Sequence, residues 1–222
     1  MILDYAQQWP THIASGYSAL TLYRLPYLTD TAPVTFIGPT SKTRSPTPTT
    51  PGLKRRGADG IALTTVHHFG HTIYAAAPAY ATVQAIQMLK SGEHSPAVIT
   101  PEGLDPLQVR AVQLVDCVRR HLNVSTSSLR QAADWRVEKR WLNKVLKLSS
   151  KLADSPRETE LRLLLHAVTK QRRLKLSEQV PVYRGRRLVT TFDFAIEPLK
   201  IGIMYDGQHH WEYDQRQKDA RI

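Results

Sequence analysis

Acidic and histidine side chains follow two apolar segments in the last part of the sequence. Asp193 lies inside the apolar run Phe192–Ile196, and Met204–His210 carries Asp206 and His210 after a second apolar run. Alternation along a strand puts Asp193 on the face opposite Phe192, Phe194 and Ile196, so pairing of the two strands would bring Asp193 and Asp206 together. Mg²⁺ prefers carboxylate and water oxygens. This pattern predicts a magnesium site at Asp193 and Asp206, with His209 or His210 returned toward it by the turn at Gly207.

A helix with a well-marked start precedes these strands. Ser155 is a good N-cap, Pro156 suits the first helical position, and Glu158 falls where a capping-box acid reaches back. Glu158 therefore has two possible roles, as a cap or as a supporting acid of the metal site. The segments that follow predict an α/β module in the order helix, strand, strand, strand, helix, with strands at 179–183, 188–196 and 200–205.

The spacing of these residues resembles a known nuclease family. The resemblance is carried by Ser155-Pro156-x-Glu158-x-x-Leu161-Arg162, Asp193, Tyr205-Asp206-Gly207-x-x-His210, Asp214 and Asp219-x-Arg221. They resemble the very-short-patch-repair-like (Vsr-like) endonuclease domain of the PD-(D/E)xK superfamily. That likeness implies a restriction-endonuclease-like αβββα core over residues 151–222 that cleaves DNA with Mg²⁺ or Mn²⁺.

The resemblance also implies roles for individual residues. Asp193 would be the principal metal ligand, Asp206 the second, Glu158 a supporting acid, and His210 the group that orients or protonates the scissile phosphate. Met204 stands where such domains usually carry glutamate, so one carboxylate is replaced. The family continues with further strands, so we expect the domain to be truncated at its C-terminal end.

The part of the chain before residue 150 has a different character. Residues 15–25, 34–39 and 76–89 resemble the abortive-infection (AbiEi-type) antitoxin proteins that precede Vsr-like domains in bacteria. This likeness implies a mixed α/β domain over residues 1–150 and a partner from a toxin–antitoxin or defence system. The sequence itself predicts a helix over 11–25, strands at 34–37, 61–65 and 72–74, an extended loop over 38–57, and a helix over 79–90. Three histidines within 66–71 are interpreted as polar hairpin residues, because adjacent strand positions point to opposite faces.

The chain carries 30 Lys and Arg against 19 Asp and Glu, a formal charge of +11. Such an excess favours a polyanionic partner, because cations release counterions from phosphate backbones. Residues 110–151 hold ten of these cations and only three acids, on two or three predicted amphipathic helices. We expect DNA to be bound there by Arg119, Arg120, Arg136, Lys139, Arg140 and Lys144. Solvated basic faces without a ligand are the alternative.

Composition excludes several other classes. Cys117 is the only cysteine, so an internal disulfide framework and a Cys-rich zinc site are excluded. No signal-peptide pattern and no apolar run long enough for a membrane helix is present, so a cytoplasmic protein without a membrane partner is expected. Three functions remain open: a metal-dependent DNA endonuclease, an inactive DNA-binding or antitoxin-like regulator that retains the nuclease fold, and a protein-interaction module.

Overall fold

The computed structural model describes residues 1–55, 60–68 and 70–205. The chain is a mixed α/β protein, as predicted, and it divides into two compact units, residues 1–160 and 161–222. The sequence places a boundary after residue 150, whereas the division lies after residue 160, inside a helix.

The first unit is built on a five-stranded mixed sheet. Its strands are β1 Ile13–Ala14, β2 Thr35–Gly38, β3 Gly52–Arg55, β4 Leu63–His68 and β5 His71–Ala76. They lie in the order β3-β2-β1-β5-β4, in which β2–β3 and β1–β5 are parallel and the other two pairs are antiparallel. The strand pair predicted around residues 61–74 is therefore confirmed. Strand β3 lies inside the segment that its prolines marked as an extended loop.

Helices of the first unit pack around a buried apolar core. They are α1 Ile2–Gln8, α2 Tyr17–Leu22, α3 Pro78–Ser91, α4 Pro106–His121, α5 Thr126–Ala133 and α6 Lys139–Leu148. Helix α3 begins at Pro78 and ends before Gly92, which has φ +76° and so takes the left-handed conformation that closes many helices. Leu114 of α4 and Leu129 of α5 are fully buried. The sequence predicts two or three helices over residues 110–151, and the structure has three, α4, α5 and α6.

Helix α4 also carries buried polar side chains that hold the segment after α6. The carboxylate of Asp116 is completely buried and accepts hydrogen bonds from the Ser150 amide at 2.7 Å and the Thr159 hydroxyl at 2.9 Å. Nε2 of Gln113 donates to Oε1 of Glu160 at 3.1 Å. Thr159 and Glu160 belong to the first turns of α7 Pro156–Gln171, so α4 fixes where this helix begins.

The second unit contains the rest of α7 and an antiparallel three-stranded sheet. Its strands are β6 Ser177–Arg184, β7 Arg187–Ile196 and β8 Ile201–Ile203, in the order β6-β7-β8. Phe194 and Ile196 of β7 form its core with Leu176. The predicted helix and three strands are thus present, while the predicted closing helix lies outside the described residues.

Phe192 departs from the simple alternation that the sequence suggests. It is not part of the core formed by Phe194 and Ile196. Instead its ring atoms lie 2.5 Å from the position that a Cβ atom would occupy at Gly202. A side chain at position 202 would therefore displace the Phe192 ring, and the two phenylalanines beside Asp193 have different environments.

Replacing Asp116 tests whether the polar contacts of α4 hold the first unit together. Asp116→Ala removes the acceptor of the Ser150 amide and of the buried Thr159 hydroxyl, which we expect to lower the free energy of unfolding by about 3 kcal/mol. Urea denaturation followed by circular dichroism measures the change. Glu102→Ala removes the same charge from an exposed position and serves as the control. Equal losses in both variants would show that charge, and not the buried acceptor, matters.

Candidate functional site

Asp193 lies on β7, the central strand of the second unit, and both of its carboxylate oxygens accept hydrogen bonds. Oδ2 accepts from the backbone amide of Tyr205 at 2.7 Å, and Oδ1 accepts from Nε2 of Gln179 at 3.3 Å. Gln179 lies on β6 with φ +50°, a left-handed conformation that is unusual for this residue. The carboxylate thus connects both neighbouring chain segments, and its polar contacts offset the cost of its partial burial.

Met204 is the residue that, by the resemblance, replaces a carboxylate. It follows β8 directly, its side chain is 57% exposed, and the Thr190 hydroxyl approaches its sulfur at 4.0 Å. A thioether is a soft ligand and does not suit Mg²⁺. Two of the predicted site residues, Asp206 and His210, lie outside the described residues.

Glu158 forms the cap that its position predicts. Its Oε1 accepts a hydrogen bond from the Ser155 hydroxyl at 3.0 Å, and its Oε2 accepts one from the Asp154 amide at 3.0 Å. The Glu158 amide in turn donates to the Ser155 hydroxyl oxygen at 3.2 Å. The Ser155 hydroxyl thus caps the helix, and Glu158 reaches back to that hydroxyl and to the amide of the preceding residue, so the contacts seen for Glu158 are those of a helix start.

The described residues do not by themselves fit a magnesium ion. Among them, no group of three His, Cys, Asp or Glu side chains could hold a metal. At Asp193 they supply one carboxylate, and Mg²⁺ in proteins usually takes one or two together with substrate oxygens and waters. The described histidines of the β4–β5 hairpin likewise belong to no group of three possible metal ligands. The ring Nδ1 of His67 lies 3.2 Å from the Thr72 hydroxyl.

Thiol chemistry has little support in the first unit. Cys117 is buried in α4, and burial followed by the negative charge of Asp116 raises the pKa of its thiol well above the ordinary value. A thiol in such surroundings stays protonated and is a poor nucleophile.

Helix α6 gathers cations on one face. Lys139, Arg140, Lys144 and Lys147 are all exposed, whereas Leu142, Val145 and Leu146 are buried. At 100° per residue, the four cations and Asn143 occupy one continuous arc. We call the surface formed by Lys139, Arg140, Asn143, Lys144 and Lys147 the cationic face. Within the described part of the chain its four cations form no ion pair, and the face includes no acidic residue.

The other predicted DNA contacts make internal bonds. Nη1 of Arg119 donates to the Ser149 hydroxyl at 2.7 Å, and Arg120 pairs with Asp154. These two side chains tie α4 to the segment after α6. Arg136 donates to the carbonyl of Asp134 at 3.1 Å and lies over the ring of Tyr80, so it belongs to the turn before α6. The structure therefore brings three of the six predicted contacts, Lys139, Arg140 and Lys144, onto the cationic face.

The sequence prediction missed residues beside these three. Lys147 follows Lys144 by three positions, which is one helical turn, so the helical period alone could have added it. Nε of Arg130 on α5 donates to Oδ1 of Asn143 at 3.2 Å. No local pattern in the sequence predicts that contact between helices.

Trp135 lies in the turn that connects α5 to α6. Asp134 has φ −56° and ψ 129°, Trp135 has φ +59°, and the Arg136 amide donates to the Ala133 carbonyl at 2.9 Å. These values define a type II β-turn with Trp135 at its third position, where glycine or asparagine is preferred. A bulky residue in the left-handed region costs about 1–2 kcal/mol. The Trp135 side chain is nonetheless 98% exposed.

Several cations elsewhere in the first unit are engaged by protein groups. Nζ of Lys54 pairs with Glu93 at 3.0 Å, and Nε of Arg44 donates to the Pro51 carbonyl at 3.1 Å. Lys90 lies 4.3 Å above the ring of Trp141. The cationic face is distinguished by four exposed cations that lie together on one side of a helix and form no ion pair within the described residues. No helix in the described ranges has the length and apolarity to cross a membrane.

A comparison with protein-family models, curated protein sequences and solved structures gives no match.

Replacing Asp193 tests whether its hydrogen bonds stabilise the second unit. Asp193→Ala removes the acceptor of the Tyr205 amide, so we expect faster hydrogen exchange at that amide and a loss of about 1–3 kcal/mol in unfolding free energy. Asp193→Asn keeps one oxygen acceptor and should lose less. Exchange followed residue by residue by NMR measures the effect, and an unchanged Tyr205 amide in Asp193→Ala would contradict it.

Proposed function

We propose that this chain binds DNA through its sugar–phosphate backbone, using the cationic face of α6. The observation that carries the proposal is the set of four exposed cations, Lys139, Arg140, Lys144 and Lys147, on one side of a helix whose other side is buried. Such a face supplies affinity through phosphate contacts. It reads little of the base sequence directly.

The dimensions of the cationic face suit a polyanion. Lys139 and Lys147 are eight residues apart, which corresponds to about 12 Å along a helix. Double-stranded DNA carries a charge about every 1.7 Å of its axis, so several phosphates fall within that length. Rigid packing of Leu142, Val145 and Leu146 holds the helix while its cations contact the strand.

Electrostatics also separates this face from cations that are paired with acids. A cation paired with an acid contributes little to an anionic ligand, because the pair already neutralises it. The four cations of α6 keep their full charge, and they add to the formal +11 of the chain. A positive field of this kind accelerates association with DNA and makes binding depend on ionic strength.

Replacing the four cations by glutamine tests the proposal. We expect the quadruple variant Lys139→Gln, Arg140→Gln, Lys144→Gln and Lys147→Gln to bind duplex DNA more weakly. Each lost phosphate contact reduces the slope of log affinity against log salt by about 0.9, so the slope should fall by about 3 to 4. Fluorescence anisotropy with a labelled duplex, titrated from about 50 to 200 mM salt, measures both quantities.

The second unit offers a matched control with the same change of charge. Lys170, Arg173, Lys175 and Lys200 are exposed, and their replacement by glutamine removes three lysines and one arginine as well. We expect this control to keep most of the affinity and slope. Equal losses in the two quadruple variants would mean that net charge, and not the cationic face, governs binding.

Phosphodiester hydrolysis is the second candidate function, and the position of Asp193 favours it. The carboxylate lies on the central strand of a sheet that follows α7, in the order expected for a nuclease module. Asp206 would have to complete the ligand set, with His210 acting at the phosphate.

A plasmid assay separates binding from cleavage. Supercoiled plasmid is incubated with the purified chain and Mg²⁺ or Mn²⁺, and with the variants Asp193→Asn and Met204→Glu. The hydrolase proposal requires metal-dependent nicking that Asp193→Asn abolishes and Met204→Glu increases. Binding with no nicking by the wild-type chain or by Met204→Glu would leave DNA binding as the function and remove hydrolysis.

A further inference from the structure

Trp135 occupies a position that neither backbone preference nor packing explains. The type II turn Ala133–Arg136 favours glycine at its third residue, and that residue is Trp135 with φ +59°. Its side chain is 98% exposed, so no burial of the indole offsets the strained backbone. Strained residues of this kind concentrate at functional sites. The turn thus points a large aromatic ring into solvent at the start of the cationic face.

A cavity lies beside this ring. It has a volume of about 730 Å³, and its lining includes Trp135 together with Arg130, Gln131, Asp134, Glu138, Lys139 and Asn143. Volumes of this size are typical of ligand sites. Lys139 and Asn143 also belong to the cationic face, so the cavity and that face are continuous.

The charges in the cavity differ from those on the cationic face. Asp134 and Glu138 line the cavity beside Arg130 and Lys139, so a phosphate inside it would meet two carboxylates. A nucleobase is neutral, and its exocyclic amines can donate to carboxylate oxygens. The amides of Gln131 and Asn143 supply further donors and acceptors. The mixed lining therefore suits a base, while the acid-free cationic face suits phosphates.

We propose that Trp135 and this cavity bind an unpaired nucleobase of a DNA strand whose phosphates contact the cationic face. The inference rests on the proposed DNA binding and assigns the preferred ligand as single-stranded or locally unpaired DNA. Stacking on the Trp135 indole supplies the preference, because bases of a duplex are already stacked on one another. Stacking of this kind tolerates every base, since each has a π-face.

Variants at Trp135 separate this role from a structural one. Trp135→Gly relieves the left-handed backbone, so its thermal midpoint should stay constant or rise. The same variant should lose about 10- to 100-fold in affinity for single-stranded DNA, the range expected for one stacked base. Trp135→Phe should retain most of the affinity, and Trp9→Ala, which removes a half-exposed tryptophan elsewhere, should retain all of it.

The experiment compares three ligands by fluorescence anisotropy at low salt. They are a labelled single strand of about 16 nucleotides, the same sequence as a duplex, and a single strand of equal length whose sites are abasic. The abasic strand keeps the phosphates and lacks the bases. Trp135→Gly should have a lower affinity than wild type for the normal single strand and an unchanged affinity for the duplex and the abasic strand. Wild type should bind the abasic strand about as weakly as Trp135→Gly binds the normal single strand.

Each other outcome overturns the inference in a recognisable way. If Trp135→Gly keeps its single-strand affinity, or loses equal affinity for all three ligands, stacking is wrong while the quadruple variant of the cationic face still decides DNA binding. If wild type binds none of the ligands, the proposed function fails and the inference fails with it. If sedimentation shows a dimer that Trp135→Gly dissociates without changing DNA affinity, a second copy covers the ring instead.

Discussion

The buried carboxylate of Asp116 is the constraint on which the arrangement of the first unit depends. A charged group without access to water must have its hydrogen-bonding capacity met by protein groups. Ser150 and Thr159 supply bonds to it from two separate segments, one after α6 and one in α7. Both segments must therefore meet α4 at the same place, which fixes the end of α6 and the start of α7.

Neighbouring polar residues of α4 extend this constraint. Arg119 holds the Ser149 hydroxyl, and Arg120 pairs with Asp154. These arginines add positive charge to the sequence count, yet they act between elements of the protein. The four cations of α6, by contrast, face solvent together, since its apolar side is buried and its polar side carries no acid. Positive charge available to a ligand is thus a matter of pairing, not of how many cations a segment contains.

Much of this arrangement follows from local sequence rules, and the remainder does not. The helix predicted over 79–90 and the helix start at Ser155 and Glu158 are both present, because signals for helix ends act over a few residues. The single helix predicted over 11–25 is wrong, because Gly16 adopts φ +52° and divides the segment into β1 and α2. Strand β3 was missed because its partner β2 pairs with it across a proline-rich segment. Helical periodicity carries no information about such pairing.

The candidate site shows the same limit at the level of single residues. Lys139, Arg140 and Lys144 were predicted from charge density, which suffices for an exposed helical face. The conformation of Trp135 could not be predicted, because its sequence context contains no glycine or asparagine to signal a left-handed turn. A tryptophan held there gains nothing from local structure, so the surrounding helices must impose the turn. The hydrogen bond from Nε2 of Gln87 on α3 to the Arg136 carbonyl, at 3.2 Å, is one such contact.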